Sequence, residues 1–169
     1  AKENQLTIGQ ITATDVDTDD AEITYSISGS ELLISSDTGV LTFQEEPDFE
    51  TKNEYNASVT ASDGVNSSSE EVLVQIENLN DNAPTFISSA NFAVDENQTL
   101  IGSVEAEDAD GDNLSFSIIS SEILINSESG ALAFAVEPDY EIKANYVATV
   151  TVDDGAFSAT QDIAVEIIN

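Results

Sequence analysis

The residues best suited to chemistry lie in one short segment near the middle of the chain, residues 77–84 (ENLNDNAP). Four of its residues, Asn78, Asn80, Asp81 and Asn82, offer both side-chain and main-chain oxygens. The proline at its end stops a strand from running through it. Hard cations such as calcium bind to oxygen-rich, irregular segments of this kind. We therefore expect a calcium site at a hinge between two domains.

The composition excludes several classes of function. The 169-residue chain has 34 acids against three lysines, with no histidine and a net charge of −31. So acidic a chain repels nucleic acid and anionic membranes, so we expect neither nucleic-acid binding nor direct membrane insertion. No apolar run approaches the length of a membrane span. Because both histidine and cysteine are absent, the usual pairs of nucleophile and base are missing, and we predict that the chain is not an enzyme.

The sequence repeats itself at an offset of about 91 to 93 residues, which predicts two tandem domains. Several acidic motifs recur in the same order in both copies, among them residues 3–5 and 96–98 (ENQ twice) and residues 46–50 and 137–141 (EPDFE and EPDYE). The copies end together, where Asn78 aligns with Asn169. We predict domains at residues 1–78 and 85–169, joined by a calcium-binding linker at residues 79–84.

Short runs of alternating apolar and polar residues, separated by Asp-Gly, Thr-Gly and Ser-Gly turns, fill both copies. About seven such strands in about 90 residues are typical of a β-sandwich. We therefore predict an all-β fold of two tandem, seven-stranded antiparallel sandwiches of Greek-key, immunoglobulin-like type. The second copy starts with a strand through Phe92 and Val94, and Ala1 aligns at the end of that strand. The first sandwich should therefore lack its N-terminal strand and have an unpaired sheet edge.

The order and spacing of the acidic motifs are similar to those of a cadherin repeat, over almost the whole chain. These motifs are Glu-Asn near the start, Asp-x-Asp, Asp-x-Glu, Asp-Gly and the linker Asn-x-Asn-Asp-Asn-Ala-Pro. The resemblance implies that one domain, the linker and the next domain together bind about three calcium ions. The implied ligands are Glu3, Asp48 and Glu50 in the first domain, Asn78, Leu79, Asn80, Asp81 and Asn82 in the linker, and Asp108, Asp110, Asn113 and Asp154 in the second domain. The chain departs from the family at Asn78, where an aspartate is usual.

The implied ligand set agrees with the chemistry of calcium. Seven of the ligands are carboxylates, so their seven negative charges nearly balance the six positive charges of three calcium ions. Magnesium requires strict octahedral coordination, and zinc lacks its usual nitrogen and sulfur ligands here. The Asp108-x-Asp110-x-Asp112 spacing resembles the start of an EF-hand loop, but Ile119 occupies the twelfth position and no helices flank it, so we set that interpretation aside.

The remaining recurrent acids imply two outer half-sites, which would be completed by neighbouring cadherin repeats. These half-sites are Asp15, Asp17 and Asp63 in the first copy, and Glu96, Asp139 and Glu141 in the second. They imply a parent protein that continues in both directions.

The resemblance implies an extracellular calcium-binding repeat of a membrane-attached, cell-surface protein. Calcium would stiffen the linker, either for calcium-dependent adhesion through homophilic or heterophilic contacts or for a spacer role. The alternative is a polysaccharide-binding accessory module of a secreted bacterial protein. The acidity and the absence of arginine are more typical of a bacterial source than of an animal one. With no tryptophan in the chain, sugar stacking would depend on a single spare aromatic or on polar contacts. The two functions stay open at this point.

Overall fold

In the computed structural model, which describes residues 1–16 and 22–169, the described residues form β-strands and connecting turns without an α-helix. The predicted all-β class is confirmed. The chain divides into two units, Ala1–Leu79 and Asn80–Asn169. The predicted domain limits, with a separate linker at residues 79–84, stay predictions.

The first unit contains six described strands in two sheets. Their order is β1–β4–β3 in one sheet and β2–β5–β6 in the other. The strands are β1 Thr7–Gln10, β2 Thr24–Ile27, β3 Leu32–Ile34, β4 Val40–Phe43, β5 Glu54–Ser62 and β6 Ser67–Gln75. Because alternate side chains of a strand point to opposite faces, each sheet contributes one apolar face to a shared core. Leu41 and Phe43 of β4 pack there with Ala57 of β5 and Val74 of β6.

No described strand pairs with the outer edge of β6 in the first unit. Within the described residues, β6 pairs with β5 and is the last strand of its sheet. In the part of the chain that the structure describes, Ala1 and Lys2 alone continue the sheet: the Glu77 N–H donates to the Ala1 carbonyl at 2.7 Å, and Lys2 forms an isolated parallel bridge with Glu77. The predicted loss of the N-terminal strand is therefore seen in the first unit.

The second unit has nine described strands. The larger sheet has the order β11–β14–β15–β8, the smaller one β12–β13–β9, and β7 pairs with β10. The strands are β7 Thr85–Phe86, β8 Asn91–Asp95, β9 Leu100–Ser103, β10 Ala106–Glu107, β11 Ser115–Ile119, β12 Ile123–Ile125, β13 Ala131–Phe134, β14 Asn145–Asp153 and β15 Ser158–Ile168. Leu132, Val150, Val152 and Val165 are among the most deeply buried residues of its core.

The second unit has nine described strands instead of the predicted seven because two of the predicted strands are each divided in two. One is divided into β7 and β8 and the other into β9 and β10, and the two parts pair with different partners. β7 pairs with β10, whereas β8, after a break of four residues, pairs with β15. β9 likewise pairs with β13 before the chain continues into β10. The β8–β15 pair is parallel, so the prediction of purely antiparallel sheets is wrong for this sheet. The described residues contain no helix long and apolar enough to cross a bilayer.

Candidate metal centre

Three predicted ligands of the first unit lie together, although the chain brings them from separate places. Glu3 precedes β1, and Asp48 and Glu50 lie in the turn between β4 and β5. One carboxylate oxygen from each residue lies within 4.8 Å of the other two. The positive backbone φ of 58° at Asn4, together with its N–H bond to the Pro47 carbonyl (3.0 Å), joins the two segments. Such a cluster is a candidate cation site in the first unit.

Glu3 is the buried member of this cluster, with 2% of its surface exposed. Its Oε2 accepts the Phe49 N–H and its Oε1 accepts the Leu79 N–H, both at 2.7 Å. A buried charge is stable only when it is paired or hydrogen-bonded, and two short bonds to a carboxylate provide that stabilisation. The bond to Leu79 also brings the main chain of Asn78 and Leu79 beside the Glu3 carboxylate, while the Asn78 side chain is exposed.

Asp48 begins the turn that also contains Glu50. Its Oδ2 accepts the Thr51 hydroxyl at 2.9 Å, and its Oδ1 accepts the Thr51 N–H at 3.1 Å. These bonds from the hydroxyl and the backbone of Thr51 lower the pKa of Asp48, because they stabilise the ionised carboxylate. The carboxylate is therefore ready to bind a cation at neutral pH.

The second unit contains its own cluster of predicted ligands. Asp110 accepts three bonds: from the N–H groups of Asp81 (3.0 Å) and Asn82 (2.8 Å), and from the Asn82 side-chain amide (2.9 Å). Its own N–H donates to Asp108 Oδ1 at 3.0 Å. Oxygens of Asp108, Asp110 and Asp112 lie within 4.8 Å of one another. The segment at residues 81–82 is thus bound to the loop that contains these three aspartates.

Asp154, with 8% of its surface exposed, is a buried acid of the second unit. Its Oδ1 accepts the N–H groups of Ala156 and Phe157, both at 2.7 Å, and the Asn80 amide donates to its main-chain carbonyl at 3.4 Å. Burial, and to a smaller extent the charge of Asp110, raises the pKa of Asp154, but the bonds that its carboxylate accepts from the N–H groups of Phe157 and Ala156 outweigh both, so the pKa falls below the ordinary value. Asp154 is therefore ionised at neutral pH.

Three predicted ligands of the second unit have a buried oxygen without a hydrogen-bond partner. These are Asn80 Oδ1, Asp108 Oδ2 and Asp154 Oδ2, and Gln161 Oε1 is the only other such atom in the described part of the chain. A buried polar atom without a partner is unfavourable and calls for an explanation. Carboxylate and amide oxygens are the ligands of calcium, so the three atoms fit that ion.

The other predicted residues take less definite positions. Asn113 is exposed in the segment between β10 and β11, and its role as a main-chain ligand stays a prediction.

In the first outer half-site, Asp15 and Asp63 line the same cavity of about 180 Å³, while Asp17 lies outside the described residues. In the second, oxygens of Glu96, Asp139 and Glu141 lie within 4.8 Å of one another. This cluster is the counterpart of Glu3, Asp48 and Glu50.

One acid of the second-unit cluster, Asp112, was not among the predicted ligands. It is exposed, and an oxygen of its carboxylate lies in the cluster with Asp108 and Asp110. Its N–H donates to Asp108 Oδ1 at 3.3 Å. The signal was present in the Asp-x-Asp-x-Asp spacing, but Asp112 was set aside together with the EF-hand interpretation.

Comparison with known proteins identifies the family to which the sequence is related. A family model described as Cadherin domain matches residues 1–77. Mouse Protocadherin Fat 4 is 32% identical over 169 aligned residues, which cover 88% of this chain and 3% of that protein. Rat Cadherin-23 is 31% identical over 160 residues, covering 87% of this chain and 5% of the relative. The chain contains a cadherin repeat.

Solved structures show the same fold. The crystal structure of mouse Cadherin-23 EC22-24 superposes with a TM-score of 0.82 at 24% identity, covering 99% of this chain and 62% of that one. Human Protocadherin-24 EC1-2 gives a TM-score of 0.78 at 21% identity, covering 98% and 89%. Cadherin domains in general bind calcium, and they form an adhesion family that is typically not enzymatic. The chain spans only 3% and 5% of the curated relatives named above, and a bacterial source stays a prediction.

Proposed function

We propose that these two cadherin repeats bind calcium through the segment that joins them, within an extracellular or cell-surface protein. In this proposal about three ions are shared between two sets of oxygens. The first set is the cluster of Glu3, Asp48 and Glu50, with the main chain near Asn78 and Leu79. The second set is formed by Asn80, Asp81, Asn82, Asp108, Asp110, Asp154 and a main-chain oxygen near Asn113.

The three unpartnered buried oxygens carry this proposal. Asn80, Asp108 and Asp154 each keep one such oxygen, and bound cations would supply the partners that these oxygens lack. The order of the chain adds support, because Leu79, whose N–H bonds to Glu3, is followed directly by Asn80. One short covalent segment therefore belongs to both ligand sets.

The proposed mechanism depends on charge. Without a cation, clustered carboxylates repel one another. Calcium would replace this repulsion with shared coordination and stiffen the joint between the repeats. Because ligating carboxylates must be deprotonated, acid should weaken binding. Extracellular modules bind calcium at roughly 10⁻⁴ to 10⁻³ M. Asn78 removes one charge from the usual set, so we expect the weaker part of that range.

Two stiffened repeats would act as part of an adhesive or spacing array. Neighbouring repeats in the same chain are the expected partners at both ends, with homophilic or heterophilic protein contacts elsewhere. The cadherin relatives do not favour the alternative of a polysaccharide-binding module.

Small-angle X-ray scattering together with calorimetric calcium titration tests the proposal. With calcium in place of a chelator, we expect the distribution of interatomic distances to narrow and the melting temperature to rise. Asp48→Asn should weaken binding, whereas Asp139→Asn, its counterpart in the second repeat, should leave the joint unaffected. Identical scattering and melting with calcium and with chelator would refute calcium stiffening.

A further inference from the structure

Two of the three basic side chains of the molecule occupy equivalent places in the two repeats. Lys52 follows the turn of Asp48 and Glu50, and Lys143 follows the matching turn of Asp139 and Glu141. In a chain with 34 acids, a lysine could pair with many carboxylates. Both lysines nevertheless make the same set of contacts, which indicates a shared role.

Lys52 contacts two groups outside its own turn. Its ammonium forms an ion pair with Glu31, the residue before β3. The same nitrogen lies 4.5 Å from the centre of the Tyr55 ring, close enough for a cation–π interaction. Tyr55 in turn packs edge-on against buried Phe43, with ring centres 5.0 Å apart. The lysine side chain therefore joins the turn to the core of the sandwich.

Lys143 repeats this arrangement in the second unit. Its ammonium bonds to both oxygens of Glu122, at 2.7 and 2.6 Å, and lies 4.3 Å from the centre of the Tyr146 ring. Tyr146 packs edge-on against Phe134, with ring centres 4.8 Å apart. The two sites share a geometry, so each can serve as the control for the other.

The backbone of each lysine closes the turn that contains the acids. The Lys52 N–H donates to the Asp48 carbonyl at 2.8 Å, and the Lys143 N–H donates to the Asp139 carbonyl at 2.9 Å. Asp48 therefore lies at the start of a turn whose last residue is fixed through its side chain. Movement of Lys52 would be transmitted to Asp48 and Glu50 through this short closed segment.

We propose that Lys52 is a positioning residue for the metal-binding carboxylates of Asp48 and Glu50. The inference rests on the proposed calcium function, because it concerns the ligand geometry of that site. The ion pair with Glu31 and the contact with Tyr55 fix the end of the turn, so that both carboxylates keep their places beside Glu3. The ion pair with Glu31 is partly exposed and contributes little free energy by itself, so an ion pair that did not hold the turn in place would have no effect on calcium affinity.

Three variants test this role: Lys52→Gln, Lys143→Gln and Lys52→Arg. Each is titrated with calcium by calorimetry, and each is melted in chelator. We expect Lys52→Gln to weaken calcium binding about threefold to fivefold, in keeping with the small free energies of an exposed ion pair and a cation–π contact. Lys143→Gln should leave the affinity of the joint within about twofold of the original. Lys52→Arg should restore binding, since a guanidinium can both pair and stack.

The melting temperatures in chelator separate positioning from general destabilisation. A purely structural role would lower the melting temperatures of both glutamine variants to a similar extent, and calcium affinity would follow stability in each. Equal calcium affinity of Lys52→Gln and the unsubstituted protein would refute the positioning role, as would equal weakening by Lys143→Gln. If the unsubstituted protein itself binds no calcium, the proposed function fails instead, which is a distinguishable result.

Discussion

The two glutamates that begin the repeats, Glu3 and Glu96, should differ sharply in their contribution to stability. Glu3 is buried and accepts two backbone N–H bonds at 2.7 Å. Glu96 is half-buried and accepts one from Tyr140 at 3.3 Å. We therefore predict that Glu3→Gln destabilises the first unit more than Glu96→Gln destabilises the second, in protein freed of calcium.

The magnitude follows from the hydrogen bonds. Glutamine keeps one acceptor oxygen but turns its amide toward the second N–H, so one charge-assisted bond is lost and the other becomes neutral. A bond to a charged group contributes about 1.5 to 3 kcal/mol. Both substitutions also remove one charge from a cluster of three carboxylates, and this relief of repulsion cancels in the comparison. We expect a difference near 2 kcal/mol, or about 10 °C in melting temperature for a unit of this size.

Differential scanning calorimetry in chelator measures the two unfolding transitions, and amide NMR spectra assign each transition to a unit. Glu3→Gln should lower only the first-unit transition, and by far more than Glu96→Gln lowers the other. Similar small shifts for both variants would contradict the reasoning, because the short bonds of Glu3 would then contribute nothing beyond those of Glu96.

Three further predictions concern residues outside the two proposed ligand sets. Bonds from the N–H groups of Asn66 and Val65 lower the pKa of Asp63. The ionised Asp63 carboxylate therefore stabilises the fold above its ordinary pKa, and this stabilisation is lost as the pH falls through the lowered pKa. The melting temperature of Asp63→Asn should lie below that of the unsubstituted protein at pH 7, and the two should converge in acid. Gly130→Ala should destabilise the second unit by about 2 kcal/mol or more, because φ is +65° and a Cβ would lie 2.3 Å from a backbone oxygen. Gly155→Ala has open space around the new Cβ, so it should lower the free energy of unfolding by less. Chemical denaturation measures both free energies. An exposed edge strand such as β6 is prone to pair with a second copy, so we expect self-association at high concentration. Leu73→Lys on this strand should reduce that self-association in analytical ultracentrifugation without lowering the melting temperature.

The sequence predicts the fold better than it predicts the details of the site. Alternation along β14 places Tyr146, Ala148, Val150 and Val152 on one face, and these side chains do form or contact the core. The pattern carries no information about a strand that changes partner, because apolar alternation looks the same in either sheet. The breaks between β7 and β8 and between β9 and β10 therefore could not be predicted.

Contacts at the site between residues far apart in the chain could only partly be predicted from the sequence. The motifs indicated that Glu3 belongs with Asp48, but the burial of Glu3 depends on tertiary packing that no spacing reveals. The sequence also placed Lys52 and Lys143 at matching positions, yet their ion pairs reach back 21 residues to Glu31 and Glu122. Asp112 was not predicted as a ligand for another reason. The EF-hand interpretation of its spacing was rejected, but its carboxylate can still bind a cation together with Asp108 and Asp110.

The hydrogen bonds around the acids bear on what limits calcium binding. Within each unit, backbone N–H groups already fix Glu3, Asp110 and Asp154 in place. A ligand set that is ordered before the ion arrives loses little conformational entropy on binding. The main obstacle to holding the acids close together is then their mutual repulsion, which the cation itself removes. It follows that a change which loosens a carboxylate, such as Lys52→Gln, should weaken calcium binding even though it removes no ligand.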